Sequence, residues 1–242
     1  MKTSVEHQFP FSWKESSKPH KFCPGCGHPI TLKMLGEVID ELGIAENTVF
    51  LVDIGCSLLA WDFFNIDTTQ THHGRTLPVA TGFKMMQPNA IVIAYVGDGG
   101  GYAIGLQHLI HTALRNIPIT TILINNANYG MTGGQLAPTT LLHEKTVTTP
   151  DGRNLLQHGE TLHGPELIKN IAAKDSYIAR GTVNQPLILK SYIKNALLNQ
   201  IENKGFSFVE SLSFCPTNWR TDASESIAFL NQMEKEFVCK EF

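Results

Sequence analysis

A glycine-rich turn with one carboxylate is the first feature of the sequence that could do chemistry. Residues 97–101 read Gly-Asp-Gly-Gly-Gly, between an apolar run at residues 91–96 and an apolar stripe at helical spacing. Glycines let a backbone approach a phosphate closely, and the N-terminus of a following helix offers free N–H groups. Asp98 would repel a bare phosphate, but Mg²⁺ between the two groups removes the conflict. The turn therefore predicts a site for a phosphate with magnesium.

An Asn-Asn pair follows the next apolar run. Asn125 and Asn126 come after residues 119–124, and 27 residues separate Asn126 from Asp98. That spacing fits one helix and one strand, the crossover that brings two parallel strands to the same sheet edge. Either motif alone is most often an ordinary turn, but ligands of open α/β sheets bind at that edge. A nicotinamide site is the weaker interpretation, because residues 97–101 lack the GxGxxG spacing.

Five cysteines form a second set: Cys23, Cys26, Cys56, Cys215 and Cys239. Their odd number, without an export signal, favours metal ligation or free thiols over a disulfide framework. The CxxC pair at residues 23–26 alone could be a redox dithiol, a zinc knuckle or chance. Cys56 and Cys215 each follow an apolar run, so both could meet the CxxC pair at a sheet edge. The spacing leaves zinc and a [4Fe–4S] cluster about equal.

The elements that must position these residues are runs of Val, Ile and Leu that alternate with helical patterns. Strands are predicted at residues 48–54, 91–96, 119–124, 177–183 and 206–212, and helices at residues 32–42, 106–114, 187–201 and 224–237. Such alternation predicts an α/β fold with a mostly parallel sheet covered by helices on both faces. Residues 129–164 are poor in periodicity, and long loops of this kind are usually functional or disordered.

We expect an N-terminal arm at residues 1–20, one domain at residues 21–220 and a helical tail at residues 221–242. The chain has 242 residues and a formal charge of −3, with 19 Lys and Arg against 22 Asp and Glu. The absence of a basic block argues against a nucleic-acid partner, and no apolar stretch is long enough to span a membrane. The polar start lacks a signal-peptide core. We expect a cytoplasmic protein.

With these motifs in place, the sequence resembles the thiamine diphosphate enzymes, whose signature is GDG followed about thirty residues later by NN. The segment NYGMTGGQ at residues 128–135 resembles the beta subunit of 2-oxoacid:ferredoxin oxidoreductases. The resemblance implies a thiamine diphosphate-binding fold in which Asp98, Asn126 and the Asn128 carbonyl bind Mg²⁺. It also implies cofactor contacts from Gly55, Cys56, Ser57, Gly97, Asp98, Gly99, Gly100, Asn126, Tyr129 and Thr132.

The same resemblance extends to the cysteines. The stretches FCPGCGH, DIGCS and CPTNW are similar to the three that carry the iron–sulfur cluster of that family. The resemblance thus implies that Cys23, Cys26, Cys56 and Cys215 bind a [4Fe–4S] cluster and that Cys239 is a free thiol. A cluster beside the thiamine could accept electrons from the decarboxylated substrate as it is oxidised, and could pass them to ferredoxin.

The segment HHGR at residues 72–75 also matches the family, where this loop approaches the thiamine and the substrate. We therefore predict catalytic roles for His73 and Arg75, with Arg75 neutralising a carboxylate or a phosphate. Two histidines in a loop are, however, more often structural. No residue matches the Glu that activates thiamine in these enzymes, which implies a chain that is incomplete without an alpha subunit, and commonly a gamma subunit and ferredoxin.

The implied reaction is oxidative decarboxylation of a 2-oxoacid to an acyl-coenzyme A. The apolar stretch after Cys56, Ser-Leu-Leu-Ala-Trp, and the CPTNW segment favour the branched-chain 2-oxoisovalerate over 2-oxoglutarate or pyruvate. One alternative is a non-oxidative thiamine diphosphate decarboxylase or synthase, which would leave four cysteines without a purpose. Another is a zinc-stabilised assembly protein without catalysis.

Overall fold

The computed structural model describes residues 9–242 and contains a seven-stranded, mostly parallel sheet. The first elements in chain order are α1 (His28–Leu42), β1 (Thr48–Val52), β2 (Asp67–Gln70), α2 (Thr76–Met86), β3 (Ile91–Gly97), α3 (Leu106–Leu114) and β4 (Thr120–Asn125). They are followed by β5 (Asn128–Tyr129), β6 (Gln135–Leu136), α4 (Leu155–His158), α5 (Gly164–Ile171), β7 (Tyr177–Thr182), α6 (Pro186–Ile201), β8 (Ser207–Leu212), α7 (Pro216–Trp219), α8 (Ala223–Glu236) and β9 (Lys240–Glu241).

The strand order places the functional motifs at one edge of the sheet. The strands lie in the order β2-β1-β3-β4-β8-β7-β9, and only β9 runs antiparallel to its neighbour. The chain passes from β1 to β2 on one side and then to β3 on the other side of β1. When two consecutive connections leave a strand in opposite directions, a crevice forms between them at the carboxyl ends of the strands. Residues that follow β1, β3 and β4 therefore face a common crevice.

The sheet has a hydrophobic core on each face, as the uninterrupted apolar runs predicted. Along β3, Ile93 and Tyr95 pack in one core, whereas Val92 and Ala94 pack in the other. Successive side chains of a strand point to opposite faces, so a strand buried on both sides needs apolar residues at every position. Helices α1, α6 and α8 cover the first core, and α2, α3 and α5 cover the second. This arrangement confirms the predicted fold class.

Local signals explain where two of the helices begin and end. Helix α1 ends before Gly43, whose φ of +64° is a left-handed conformation that glycine adopts without strain. Helix α8 begins with a capping box, in which the Asp222 carboxylate accepts the Glu225 N–H and the Glu225 carboxylate accepts the Asp222 N–H. The helix predicted at residues 224–237 is therefore confirmed, with bounds one residue earlier.

The two ends of the described chain pack on the sheet domain. In the predicted arm, of which residues 1–8 lie outside the described residues, the Ser12 N–H donates to the Asp40 carboxylate at 3.0 Å. In the predicted tail, Leu230, Met233 and Phe237 lie in the first core, and β9 pairs with β7. Between residues 9 and 242 the structure has no helix that is both long and apolar enough to cross a membrane.

Candidate functional site

A cavity of about 140 Å³ lies at the carboxyl ends of β1, β3 and β4. It brings together almost all the residues that the sequence predicted for cofactor and magnesium binding. The predicted residues that line it are Gly55, Cys56, Ser57, His73, Gly97, Asp98, Gly99, Gly100, Asn126, Asn128, Tyr129 and Thr132. Arg75 is not among the lining residues, because its guanidinium donates to the backbone carbonyls of Gly74 at 3.2 Å and Ile104 at 3.1 Å.

Asp98 is a buried carboxylate without a cationic partner. Its side chain accepts the Gly99 N–H at 2.8 Å and the Thr139 hydroxyl at 2.6 Å, and the residue is 2% exposed. Within residues 9–242 no Lys, Arg or His forms an ion pair with it. Burial raises the pKa of Asp98 to about 7, because the charged form is poorly solvated there. A cation in the cavity would remove this penalty.

Asn126 offers a second oxygen to the same cavity. Its side-chain Oδ1 is buried and has no hydrogen-bond partner among the described residues. Its backbone carbonyl accepts from the Asn128 amide at 2.8 Å and from the Trp219 indole at 3.0 Å. A buried acceptor without a donor is costly, and its proximity to Asp98 gives the oxygen chemistry that Mg²⁺ prefers.

The glycines of the turn have packing roles as well as the predicted phosphate role. A Cβ atom at Gly99 would lie 2.1 Å from the Tyr129 ring, and one at Gly100 would lie 1.9 Å from Asp53 Oδ2. Neither position can therefore accept a side chain without displacing its neighbour. Residues Gly100–Ile104 form a π-helical turn before α3, and such turns are frequent at functional sites.

A second cavity, of about 310 Å³, is lined by Cys23, Cys26, Cys56 and Cys215. It adjoins the first cavity, because Cys56, Asn126, Gly130 and Met131 line both. Within residues 9–242 no group of three or more His, Cys, Asp or Glu is arranged to hold a metal ion. All four cysteines that the resemblance assigned to a cluster thus line one cavity. Burial raises the pKa of Cys56 to about 12 and that of Cys26 further.

The fifth cysteine lies apart from this cavity. Cys239 is not one of the residues that line it; it packs at the margin of the first core and its thiol is directed to the Phe237 carbonyl at 3.9 Å. The structure therefore separates Cys239 from the other four cysteines.

His73 and a residue that the sequence missed, Asp53, form a contact beside the first cavity. His73 Nδ1 lies 3.2 Å from Asp53 Oδ2 and 2.9 Å from the Ile54 carbonyl. Asp53 is fully buried after β1, and burial raises its pKa. The signal that could have found Asp53 is its place at the end of a buried strand, three residues before Cys56.

His28 is another missed residue of the first cavity. Its ring stacks on Phe22 with centroids 5.0 Å apart, and its Nδ1 lies 2.7 Å from the Tyr95 hydroxyl. Burial lowers the pKa of His28 to about 3, so the ring is neutral. The signal in the sequence was its position two residues after the CxxC motif.

Arg153 organises the long segment at residues 129–164, which the sequence left without structure. Its buried guanidinium donates to backbone carbonyls at both ends of this segment, those of Ala137, Pro138, Thr140, His158, Gly159 and Glu160. Thr139, which donates to Asp98, lies between two of these anchored residues. Only the start of the segment, residues 129–132, lines the first cavity.

Comparisons with known proteins agree with this geometry. Residues 53–211 match the family model described as the thiamine pyrophosphate enzyme, C-terminal TPP binding domain. The chain is 44% identical over 225 residues to the ketoisovalerate oxidoreductase subunit VorA of Methanothermobacter thermautotrophicus, covering 91% of this chain and 47% of that protein. It is 40% identical over 206 residues to the 2-oxoglutarate synthase subunit KorB of Methanocaldococcus jannaschii, covering 84% of this chain and 72% of that protein.

A solved structure is similar over nearly the whole chain. This is the 2-oxoglutarate:ferredoxin oxidoreductase from Magnetococcus marinus with 2-oxoglutarate, coenzyme A and succinyl-CoA bound. The TM-score is 0.79 at 32% identity, over 95% of this chain and 74% of that chain. The chain spans about half the length of the ketoisovalerate subunits that it matches. It belongs to the thiamine pyrophosphate enzymes and, among them, to the beta subunits of the 2-oxoacid:ferredoxin oxidoreductases.

Proposed function

We propose that this chain supplies the thiamine diphosphate site and the first electron acceptor for oxidative decarboxylation of a 2-oxoacid. A 2-oxoacid and coenzyme A would give an acyl-coenzyme A and carbon dioxide, and the two electrons would pass through a [4Fe–4S] cluster to ferredoxin. The observation that carries this proposal is that the first cavity, where the cofactor would bind, and the second cavity, which the four cysteines line, are in contact. They share Cys56, Asn126, Gly130 and Met131. An electron acceptor bound in the second cavity would be next to the reacting carbon.

The first cavity has the oxygen atoms for a magnesium diphosphate. Asp98, the Asn126 side chain and the Asn128 carbonyl would bind Mg²⁺, and the glycine turn at residues 97–101 would receive the diphosphate. When bound, thiamine diphosphate supplies a carbon centre that stabilises the negative charge left by decarboxylation. The chain's own contribution would be to bury and orient this group in the first cavity, which Asp98, Tyr129 and His73 line.

The resemblance of FCPGCGH, DIGCS and CPTNW to the cluster-binding stretches of the family favours an iron–sulfur cluster over zinc. The four cysteines line one cavity of about 310 Å³. A [4Fe–4S] cluster is a body several atoms across and binds one thiolate at each iron. Asn218 would support the cluster, because its amide donates to Cys215 Sγ at 3.5 Å.

Metal analysis of three proteins tests this proposal. We expect about four irons and four sulfides per chain, with thiamine diphosphate, in the anaerobically purified protein and in the matched control Cys239→Ser. Cys23→Ser removes an exposed thiol that lines only the second cavity, and should lose most of the iron. Iron-free protein that still binds thiamine diphosphate would favour the non-oxidative decarboxylase or synthase. Stoichiometric zinc without thiamine binding would favour the assembly protein.

The complete activity would need other subunits. We propose an alpha subunit, a gamma subunit and ferredoxin as partners, in the cytoplasm where coenzyme A and reduced ferredoxin are used. Purified chain without an alpha subunit should bind Mg²⁺ and thiamine diphosphate but should not reduce a viologen dye with a 2-oxoacid. Full activity of the isolated chain would contradict this part of the proposal.

We propose 2-oxoisovalerate as the preferred substrate. The related subunits include both a ketoisovalerate and a 2-oxoglutarate type, so the choice depends on the cavity. The described residues that line the first cavity include no Lys or Arg to bind a second carboxylate, and the stretch after Cys56 is apolar. Coenzyme A-dependent viologen reduction with 2-oxoisovalerate, pyruvate and 2-oxoglutarate tests this choice, and a preference for 2-oxoglutarate would reject it.

A further inference from the structure

The contact between Asp53 and His73 has a feature that the proposed function does not use. Asp53 is fully buried, while the His73 side chain is one-third exposed and lines the cofactor cavity. Within residues 9–242, every hydrogen bond of His73 involves Nδ1. The other ring nitrogen, Nε2, is therefore left for a ligand in the cavity.

The Asp53 carboxylate is held in a fixed position. Its Oδ1 accepts the Gly74 N–H at 2.8 Å and the Thr76 hydroxyl at 3.1 Å. Its Oδ2 lies against Gly100, where a Cβ atom would approach it to 1.9 Å. The carboxylate thus cannot turn without breaking both hydrogen bonds, and Oδ2 remains directed to His73.

The partners of His73 decide where its proton lies. The Ile54 carbonyl can only accept a hydrogen bond, and at 2.9 Å from Nδ1 it requires a hydrogen on that nitrogen. The Asp53 carboxylate at 3.2 Å is a second acceptor at the same nitrogen. A neutral imidazole carries one hydrogen, so Nε2 then has a free lone pair.

We propose that Asp53 is a positioning residue that holds His73 as the Nδ1–H tautomer, so that Nε2 accepts a hydrogen bond from an O–H or N–H group of the ligand in the cavity. The inference rests on the proposed function for the identity of that ligand, the thiamine cofactor with its bound 2-oxoacid. The tautomer itself is a property of this chain and can be measured without the reaction.

Asp53→Asn is the sharpest variant, because it is isosteric. The Gly74 N–H and the Thr76 hydroxyl would donate to the Oδ1 atom of the new Asn side chain and fix its orientation. The amide NH₂ would then face His73 Nδ1. This amide donor competes with the Ile54 carbonyl, which still accepts from Nδ1, so the Nδ1–H tautomer should lose population to the Nε2–H tautomer. Thr76→Val is the matched control, because it removes a hydrogen bond from the same carboxylate and none from His73.

Nitrogen-15 NMR of the histidine side chains in the full chain tests the tautomer. His73→Gln assigns the signal among the ten histidines, and His72→Gln controls for the neighbouring exposed ring. We expect His73 to be protonated at Nδ1 in the unaltered protein and in Thr76→Val, and we expect the Nε2–H tautomer to gain population in Asp53→Asn. An Nε2–H tautomer in the unaltered protein would overturn the proposal, as would an unchanged tautomer in Asp53→Asn.

Kinetics of the assembled enzyme separate positioning from a structural role. We expect Asp53→Asn to lower kcat about tenfold or more, with KM for the 2-oxoacid and the affinity for Mg²⁺ and thiamine diphosphate within about twofold. Thr76→Val should lose stability without this fall in kcat. If both variants lost activity equally, or if the lost activity matched a loss of cofactor binding, the role of Asp53 would be structural only. A failure of the proposed function would appear instead as absent cofactor binding in the unaltered protein.

Discussion

Two buried carboxylates near the same end of the sheet, Asp98 and Glu210, differ in their partners. Asp98 is 2% exposed, and within residues 9–242 it accepts hydrogen bonds from neutral donors, which include the Gly99 N–H and the Thr139 hydroxyl. Glu210 is fully buried and forms an ion pair with the Arg180 side chain. A buried charge without a countercharge is expensive. A bound cation would therefore stabilise the charged form of Asp98, whereas the charge of Glu210 is already balanced by Arg180.

The surroundings of Arg180 show that the ion pair is part of the architecture. Its guanidinium also donates to Glu166 at 2.7 and 2.8 Å and to the Val238 carbonyl at 3.2 Å. The rings of Phe237 and Phe242 lie 5.4 and 5.5 Å from its central carbon. The network joins α5, β7, β8 and the C-terminal segment, and all its charges have partners within the chain.

The two regions are connected through Asn125. Its amide donates to Glu210 at 3.3 Å, and its Oδ1 accepts the Ala127 N–H at 3.1 Å. Ala127 has a φ of +59°, a strained conformation for a residue with a Cβ atom. The paired carboxylate thus helps to hold the turn that brings the Asn126 side chain to Asp98. The first Asn of the NN motif supports the turn, and the second faces the cavity.

The largest effect should follow from removing the cation of the paired region. Arg180→Met leaves Glu210 buried without a countercharge, so we expect the free energy of unfolding to fall by about 3–5 kcal/mol. Urea denaturation followed by circular dichroism measures this change. Glu166→Gln is the control, because it alters the more exposed partner and leaves the Arg180–Glu210 pair in place; it should cost about 1 kcal/mol or less.

A double variant sharpens the same comparison. Arg180→Met with Glu210→Gln removes both charges, and it should recover most of the stability lost in Arg180→Met alone. Gln keeps an oxygen for the Tyr102 hydroxyl, which donates to Glu210 at 2.7 Å. If the double variant were as unstable as Arg180→Met, packing rather than charge would explain the network.

The unpaired region should give the opposite result. Asp98→Asn removes a buried charge that has no countercharge in the described chain, so the protein without cofactor should be as stable as the unaltered protein or more stable. Its affinity for Mg²⁺ with thiamine diphosphate should fall about a hundredfold, equivalent to about 2.7 kcal/mol. Titration calorimetry and thermal unfolding measure the two effects on the same samples. A loss of stability in the cofactor-free protein would show that Asp98 is structural.

The sequence predicted the elements whose patterns are local and strong. The strands β1, β3 and β4 contain runs of apolar residues that were visible without the structure. Strands β7 and β8 have shorter apolar runs and carry the buried Arg180 and Glu210. The edge strand β2 reads Asp-Thr-Thr-Gln and was missed, because an exposed edge needs no apolar run. Strand β9 has two residues and depends on its pairing with β7. No local pattern could indicate it.

The parts of the site that could be predicted from the sequence are those formed by a short local motif. The GDG and NN motifs each follow a strand, and parallel strands bring their carboxyl ends together. The partners of these residues were not predictable, because they come from distant parts of the chain. Thr139 is 41 residues from Asp98, and Glu210 is 85 residues from Asn125. Arg153 binds backbone carbonyls, which leave no signal in residue type.

A third carboxylate, Glu144 in the long segment at residues 129–164, resembles Asp98 more than Glu210. Its Oε2 accepts the Leu141 N–H at 2.8 Å, and no cationic side chain in the described residues forms an ion pair with it. The nearby Arg153 guanidinium donates to backbone carbonyls instead. Burial raises the pKa of Glu144 from 4.5 to about 8.

The raised pKa of Glu144 leads to the smallest of the expected effects, a change in how stability depends on pH. The folded protein holds the Glu144 proton more tightly than the unfolded chain, so the free energy of unfolding falls as the pH rises from about 4.5 to about 8. Glu144→Gln cannot ionise, and it should be more stable than the unaltered protein by about 1–3 kcal/mol at the upper end of this range and equal to it at the lower end. Urea denaturation at several pH values measures the difference, with the exposed Glu160→Gln as the control. Parallel curves for the unaltered protein and Glu144→Gln would mean that this carboxylate is compensated as fully as Glu210.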